Sequence, residues 1–224
     1  MRVFVAGGAG AMRRCLVPRL VARGHQVTAT AAGPAELAEL ERLGARGVMM
    51  DGLDAVSVGE TVGAARSDAI VHQVGGAHTG ASAVRLVTDH LLAAAEATGV
   101  PYVVAQSSRY AARPRARAEA LRYAEHAVVR TGGAVLRHGR FYGPGAAAEP
   151  VRRRRFPLVG PGAGRAPWVH LDDAATATVL AVERTAAGVF DIVDDGPGAA
   201  NARAKRELGW RPRHRHHDGT GERA

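Results

Sequence analysis

The chain keeps switching its hydrophobic period, and that alternation limits its fold more than any other feature. Residues 2–6 form a short apolar run that ends in glycines, the pattern of a buried strand. Residues 11–23 follow with Leu16, Val17, Leu20 and Val21 at helical spacing, and Gly24 stops that helix. Residues 25–30, 47–50 and 67–72 read as further strands, with helices over 34–43 and 54–65 between them. The pattern then repeats: helix 82–98, strand 102–105, helix 115–129, strand 134–137. Strands separated by helices of this length are βαβ units, which build a parallel sheet. Residues 146–166, rich in Ala, Arg, Pro and Gly, read as a loop. After it come a short strand over 168–170, a helix over 172–184 capped by Asp172 or Asp173, a last strand over 188–193 and a short helix over 201–208. The expectation is an α/β fold with a doubly wound parallel sheet of six to seven strands and helices on both faces. Residues 1–212 form its single domain, and 213–224 read as a disordered tail.

The first strand runs into Gly7-Gly8-Ala9-Gly10-Ala11-Met12-Arg13-Arg14, directly before a helix. This is where a dinucleotide-binding loop must sit. The first glycine permits a tight turn, and the second lets the backbone approach a pyrophosphate on the helix N-terminus. Gly7, Gly10, Ala11, Met12 and Arg13 are therefore candidate cofactor residues.

Taken with that loop, several segments resemble the NAD-dependent epimerase/dehydratase branch of the short-chain dehydrogenase/reductase superfamily, with its Rossmann-type fold. They are Asp51-Gly52-Leu53-Asp54, Val71-His72-Gln73, Gln106-Ser107-Ser108, Leu136-Arg137, Phe141-Tyr142-Gly143-Pro144-Gly145, Val169-His170-Leu171-Asp172-Asp173 and Glu207-Leu208-Gly209-Trp210-Arg211-Pro212. The set, in order, spans nearly the whole chain. The resemblance implies NAD or NADP as cofactor. It places Asp51 and Gly52 near the adenine, His72 and Gln73 beside the cofactor, and Tyr142 in the same site. It puts Ser107 or Ser108 where the family keeps a catalytic serine or threonine. It also implies a small-molecule substrate and a homodimer. The chain is short for the family, so residues 143–168 and 194–212 are the remnant of a substrate lobe.

The departures matter as much. The family's third loop glycine falls on Arg13, which should push the helix off the sheet or swing outward. A cation there also opposes the helix dipole. Either Arg13 pairs with a cofactor phosphate or the dinucleotide site has decayed. Strand two ends in Thr30-Ala31-Ala32-Gly33, with neither the acid that grips the ribose of NAD nor the arginine that accepts the phosphate of NADP. The family's Tyr/Lys acid/base pair falls on Arg117 and Leu121, leaving Tyr110 and Tyr123 as the nearby phenols. Of these, Tyr110 follows the serines closely and is the candidate acid.

The net charge of +9 invites a nucleic-acid reading. However, 29 of the 30 basic residues are arginine, alanine makes up about a fifth of the chain, and the charges are scattered apart from Arg152 to Arg155 and the tail. GC-rich codons account for such a composition, and nucleic acid is disfavoured. No apolar run is long enough for a membrane helix. The single Cys15 allows no internal disulfide and fits a reducing compartment, hence cytoplasm. The tail histidines lack a fixed geometry, so no metal site is expected. Arg137, on a buried strand, needs an internal carboxylate or carbonyl, and Cys15 reads as core. Three readings stay open: a nicotinamide-dependent reductase, epimerase or dehydratase; a non-redox protein of the same fold, either a cyclase, an isomerase or a dinucleotide sensor; and a nucleic-acid-associated protein resting on charge alone.

Overall fold

A computed structural model describes residues 1–7, 10–73, 80–109, 115–146, 167–196 and 199–214. Within them the chain runs β1(Arg2–Ala6), α1(Ala11–Ala22), β2(Gln26–Ala31), α2(Pro34–Arg42), β3(Arg46–Met49), α3(Ala55–Ala65), β4(Ala69–His72) and α4(Ala81–Thr98). It continues with β5(Val103–Ser108), α5(Arg115–Arg130), β6(Ala134–His138), β7(Arg140–Tyr142), β8(Trp168–His170), α6(Leu171–Glu183), β9(Gly188–Ile192) and α7(Ala202–Glu207).

Seven strands form one sheet in the order β3-β2-β1-β4-β5-β6-β9. Every neighbouring pair is parallel. The reversal of order beside β1 makes the sheet doubly wound and opens a crevice at the carboxyl ends of β1 and β4. β7 and β8 pair separately, also in parallel.

A parallel sheet must bury both faces, and side chains alternate between them. Val3 and Val5 of β1 enter one core with Leu16, Leu20, Leu40, Leu171, Phe190 and Trp210. Phe4 and Ala6 enter the other with Val58, Ile70, Leu91 and Val128. The first core lies under α1, α2, α6 and α7, and the second under α3, α4 and α5.

Arg203 guards the edge strand β9. Its guanidinium donates to the carbonyls of Val189 and Ala187 and lies over the Phe190 ring. Edge carbonyls capped this way are closed to pairing with another chain.

The first turn of α6 differs from expectation. The helix starts at Leu171, so the cap is His170, whose Nδ1 accepts from the Asp172 N–H at 3.2 Å. Asp172 and Asp173 fall inside the turn, where their charge suits the positive end of the dipole. Asp173 is buried and accepts from the backbone N–H groups of Arg213 and His214. Trp210, fully buried, donates its indole N–H to the Asp173 carbonyl. The segment after α7 is thereby tied to the start of α6. Trp210→Ala should remove about 3–5 kcal/mol of unfolding free energy, measured by denaturant titration. A loss below about 1 kcal/mol would mean that this segment contributes little to the fold.

Candidate dinucleotide site

The site starts at the crevice between β1 and β4. Gly7 has φ 78° and Gly10 has φ 109°, a left-handed region that side chains rarely adopt. Gly10 is the N-cap of α1, and a Cβ there would meet open space. No side chain caps this helix end, and its first turn holds no acid. Its backbone donors and dipole therefore face the mouth of the crevice without a side-chain cap. Thr30 of β2 accepts from the Gly7 N–H at 2.9 Å and fixes the start of the loop.

Across the crevice, the Gln73 N–H donates to the Ala6 carbonyl, which places Gln73 against the glycine loop. Its side-chain amide is buried with neither nitrogen nor oxygen hydrogen-bonded. A buried, unpartnered amide costs free energy unless a ligand or water meets it. His72 is buried too, and its Nε2 lies 2.8 Å from Thr88 Oγ1. The Thr88 hydroxyl donates to the Val84 carbonyl, so His72 Nε2 carries the proton in that contact. Asp51 and Gly52 lie in the turn between β3 and α3. The Asp51 side chain accepts from the Leu53 N–H, and Gly52 packs against Val87.

Arg13 neither lifts α1 off the sheet nor swings outward. It shares the helix face of Leu16, Val17 and Leu20 and is only 2% exposed. Its Nη1 meets Glu36 at 3.2 Å and its Nη2 meets Glu39 at 2.9 Å. Arg14 also pairs with Glu39. The two arginines of the loop are thus matched by two carboxylates of α2. Glu36 Oε2 additionally accepts from the Ala32 N–H at 3.0 Å, one residue beyond β2.

Ser107 lies at the carboxyl end of β5. Its hydroxyl donates to Glu125 Oε1 at 2.6 Å, a carboxylate buried on α5. Arg137 of β6, in register with Ser107, donates to the same carboxylate through Nε at 3.0 Å and also through Nη2. That is the internal partner Arg137 needs. On the neighbouring strand β9, Asp191 lies in register with Arg137 and pairs with Arg109 at 2.8 Å. Alternation along β5 puts Ser108 on the opposite face from Ser107. Leu121 is buried core, and Tyr123 lies on the outer side of α5 with its hydroxyl on Asp89. Tyr110 falls outside the described residues.

Tyr142 ends β7 beside β8, with its ring edge-on to His170 at 5.0 Å. Burial first, and then the Asp194 carboxylate, push its phenol up. The following Gly143 has φ 104°, and a Cβ there would stand 2.3 Å from His170 Nε2. The turn continues to Gly145, where a Cβ would stand 3.3 Å from the Ala11 side chain of α1. The turn after Tyr142 therefore runs beside the start of α1. His170, Asp172 and His214 place ligand atoms within 4.8 Å of one another. The two imidazoles stack at 3.8 Å and 16°, so their lone pairs run side by side instead of converging. His170 Nδ1 already accepts the helix-cap hydrogen bond, and His214 Nδ1 lies 3.0 Å from Asp173. That is helix-end packing and not a metal-binding arrangement. Cys15 is half-buried against the first core.

The fold and crevice define a Rossmann-type dinucleotide-binding protein, and comparison with known proteins gives the family. Residues 7–132 match the NAD(P)H-binding family, and the chain belongs to it. A 3-diazoavenalumate denitrifying reductase from a Streptomyces species is 31% identical over 305 aligned positions, covering 96% of this chain and 97% of the relative. That alignment is longer than the 224-residue chain, so the relative carries insertions with no counterpart here. A 2-alkyl-3-oxoalkanoate reductase from Stenotrophomonas maltophilia is 29% identical, covering 84% of this chain and 67% of the relative. UDP-glucose 4-epimerase from Thermotoga maritima shares the fold with a TM-score of 0.77 at 19% identity, over 95% of this chain and 94% of that one. WbmG from Bordetella bronchiseptica, solved with NAD and UDP, has a TM-score of 0.75 at 16% identity, over 96% and 90%. Among the described residues, no helix is long and apolar enough to cross a membrane.

Burial lowers the pKa of His72 and of His138 to about 4, whereas an unfolded histidine titrates near about 6.5. The folded state therefore binds fewer protons than the unfolded state between these values. Stability is full above about pH 6.5 and falls as pH drops towards 4. Thermal melts should show a lower midpoint at about pH 5 than at about pH 7, and an unchanged midpoint would refute the assignment.

Proposed function

We propose that this protein is an NAD(P)H-dependent reductase of a small, carboxylate-bearing metabolite whose reduction takes no proton from a tyrosine–lysine pair. The observation that carries this reading is the Ser107–Glu125–Arg137 group beside a buried Leu121. At the positions where family relatives keep an acid/base pair, this chain has Arg117 and the buried Leu121. Arginine stays charged and is a poor proton donor.

The bound nicotinamide supplies the hydride. The backbone of Gly7 and Gly10 and the open end of α1 would hold the pyrophosphate, and the Gln73 amide, just beyond β4, would meet the cofactor. Tyr142 closes the crevice from the side of β7. Ser107 gives its proton to Glu125, so towards a substrate it acts as an acceptor and a wall of the pocket, not an acid. Ser108 and Tyr110 stay candidates for contact with the substrate.

Sugar epimerisation fits less well. Oxidising an alcohol carbon requires a base for the hydroxyl proton, and the family's base is missing. Both curated relatives are named as reductases, and both names describe carboxylates. The first name describes reductive loss of nitrogen from a diazo compound. Hydride delivery to a diazonium carbon releases N2 and leaves no oxygen to protonate. Such an acceptor suits a pocket without a Tyr/Lys pair better than a ketone does.

Two measurements test this. Purified protein should quench or enhance the fluorescence of NADH or NADPH at sub-millimolar concentration. In turnover, an aryl diazonium carboxylate should drive loss of absorbance from the reduced cofactor, above the uncatalysed rate, faster than a 3-oxoalkanoate does. Binding without turnover would favour a sensor, and a faster rate with the ketone would show that a proton donor operates after all.

A further inference from the structure

We infer that Glu36 makes this protein select NADH over NADPH, with Arg13 as the positioning residue that holds it in place. The inference rests on the reductase reading, in that the ligand is a nicotinamide dinucleotide.

The geometry at the end of β2 carries it. In a doubly wound sheet the adenosine ribose lies beyond the carboxyl end of the second strand, and the group standing there decides between a 2′-hydroxyl and a 2′-phosphate. The residues of β2 and the turn after it offer neither an acid nor an arginine. The folded chain supplies the missing carboxylate from another element. Glu36, in the first turn of α2, folds back so that its Oε2 accepts from the Ala32 N–H at 3.0 Å. The same oxygen receives Arg13 Nη1 at 3.2 Å. Two donors on one oxygen pin the carboxylate and leave Oε1 outside both contacts. Its side chain is 31% exposed, so a ligand can reach it.

A pinned carboxylate can accept from ribose hydroxyls, but it cannot swing away from a phosphate. Charge compensation from the neighbouring cations is already committed. Arg13 is buried with both Nη atoms on α2 carboxylates, and Arg14 is paired with Glu39. A 2′-phosphate would have to pull Arg14 from its partner while still facing Glu36. Arg13 thus has a use that neither the phosphate clamp nor a decayed site anticipates. Standing in place of a glycine, it carries a ribose acceptor to a strand that lacks one.

The test is equilibrium binding, read as the ratio of the NADPH to the NADH dissociation constant by ligand fluorescence. The wild-type ratio should be roughly ten or more, since a like charge across a binding site is strongly rejecting. Glu36→Gln keeps the shape of the side chain and removes the charge, so the ratio should fall towards one. Glu39→Gln frees Arg14 from its partner but keeps the Glu36 charge, so it should lower the ratio by less than Glu36→Gln does. Adenosine 5′-monophosphate should displace NADH from the wild type, and adenosine 2′,5′-bisphosphate should displace it at least several-fold less well. This arm needs no variant to fold. Equal or tighter wild-type binding of NADPH overturns the inference and leaves the reductase reading standing. An unchanged ratio in folded Glu36→Gln, or an equal shift in Glu39→Gln, also overturns it. Failure of the wild type to bind either nucleotide overturns both.

Discussion

A guanidinium cannot enter a protein interior unaccompanied, and that constraint organises the nucleotide end of this molecule. Removing an arginine from water costs several kcal/mol unless carboxylates meet it with good geometry. Arg13 is buried because it lies on the same face of α1 as Leu16, Val17 and Leu20. Two acids spaced three apart on α2, Glu36 and Glu39, turn to meet it. The helix that follows β2 is thereby locked against the helix that follows β1. The Arg13 Nε stays without a partner, so the solution is incomplete. That cost is accepted at the place where a glycine would have needed no partner at all.

Buried carboxylates play a matching part elsewhere. Glu125 gathers Ser107 of β5 and Arg137 of β6 onto α5. Asp173 gathers the backbone of Arg213 and His214 onto α6. Each acid spends its lone pairs on groups far away in sequence and so fixes elements that the apolar cores alone would leave free to slide. Removing such an acid would leave its donors unsatisfied, which costs more than the net worth of the bonds themselves. Positioning of the strand ends therefore rests on a few polar contacts above a largely aliphatic interior.

The fold was legible in the sequence because period and punctuation agree: short apolar runs, helical spacing and glycine stops all point to a parallel sheet. The glycine loop and the Gln73 position could be read from their place after β1 and β4. Glu36 could not, because its part depends on a side chain folding back over four residues to Ala32, and α2 looks like any solvated helix. The burial of Arg13 was hidden for a related reason. A cation after a glycine loop suggests a phosphate, and only the fold shows two acids on the next helix. The His170 cap was missed because two aspartates follow it and are the better cap residues by type. A signal for Glu36 did exist: Glu36 and Glu39 repeat at helical spacing opposite a basic pair in the preceding helix.

The distribution of protons at the carboxyl ends of the strands limits the chemistry further. His72 gives its Nε2 proton to Thr88, and burial keeps the ring neutral. Ser107 gives its proton to Glu125. The Tyr142 phenol is pushed up by burial and by Asp194, so it holds its proton firmly at neutral pH. Each of these three groups has its proton committed to the protein or held too tightly to exchange readily. General acid catalysis works best with a group whose pKa is near the working pH. A site built this way can orient a reduced cofactor and an acceptor, but it gives little help to a reaction that must protonate an oxygen as hydride arrives. An acceptor with a leaving group of its own escapes that limit, which is why the loss of the Tyr/Lys pair points to a change of substrate chemistry as readily as to a loss of activity.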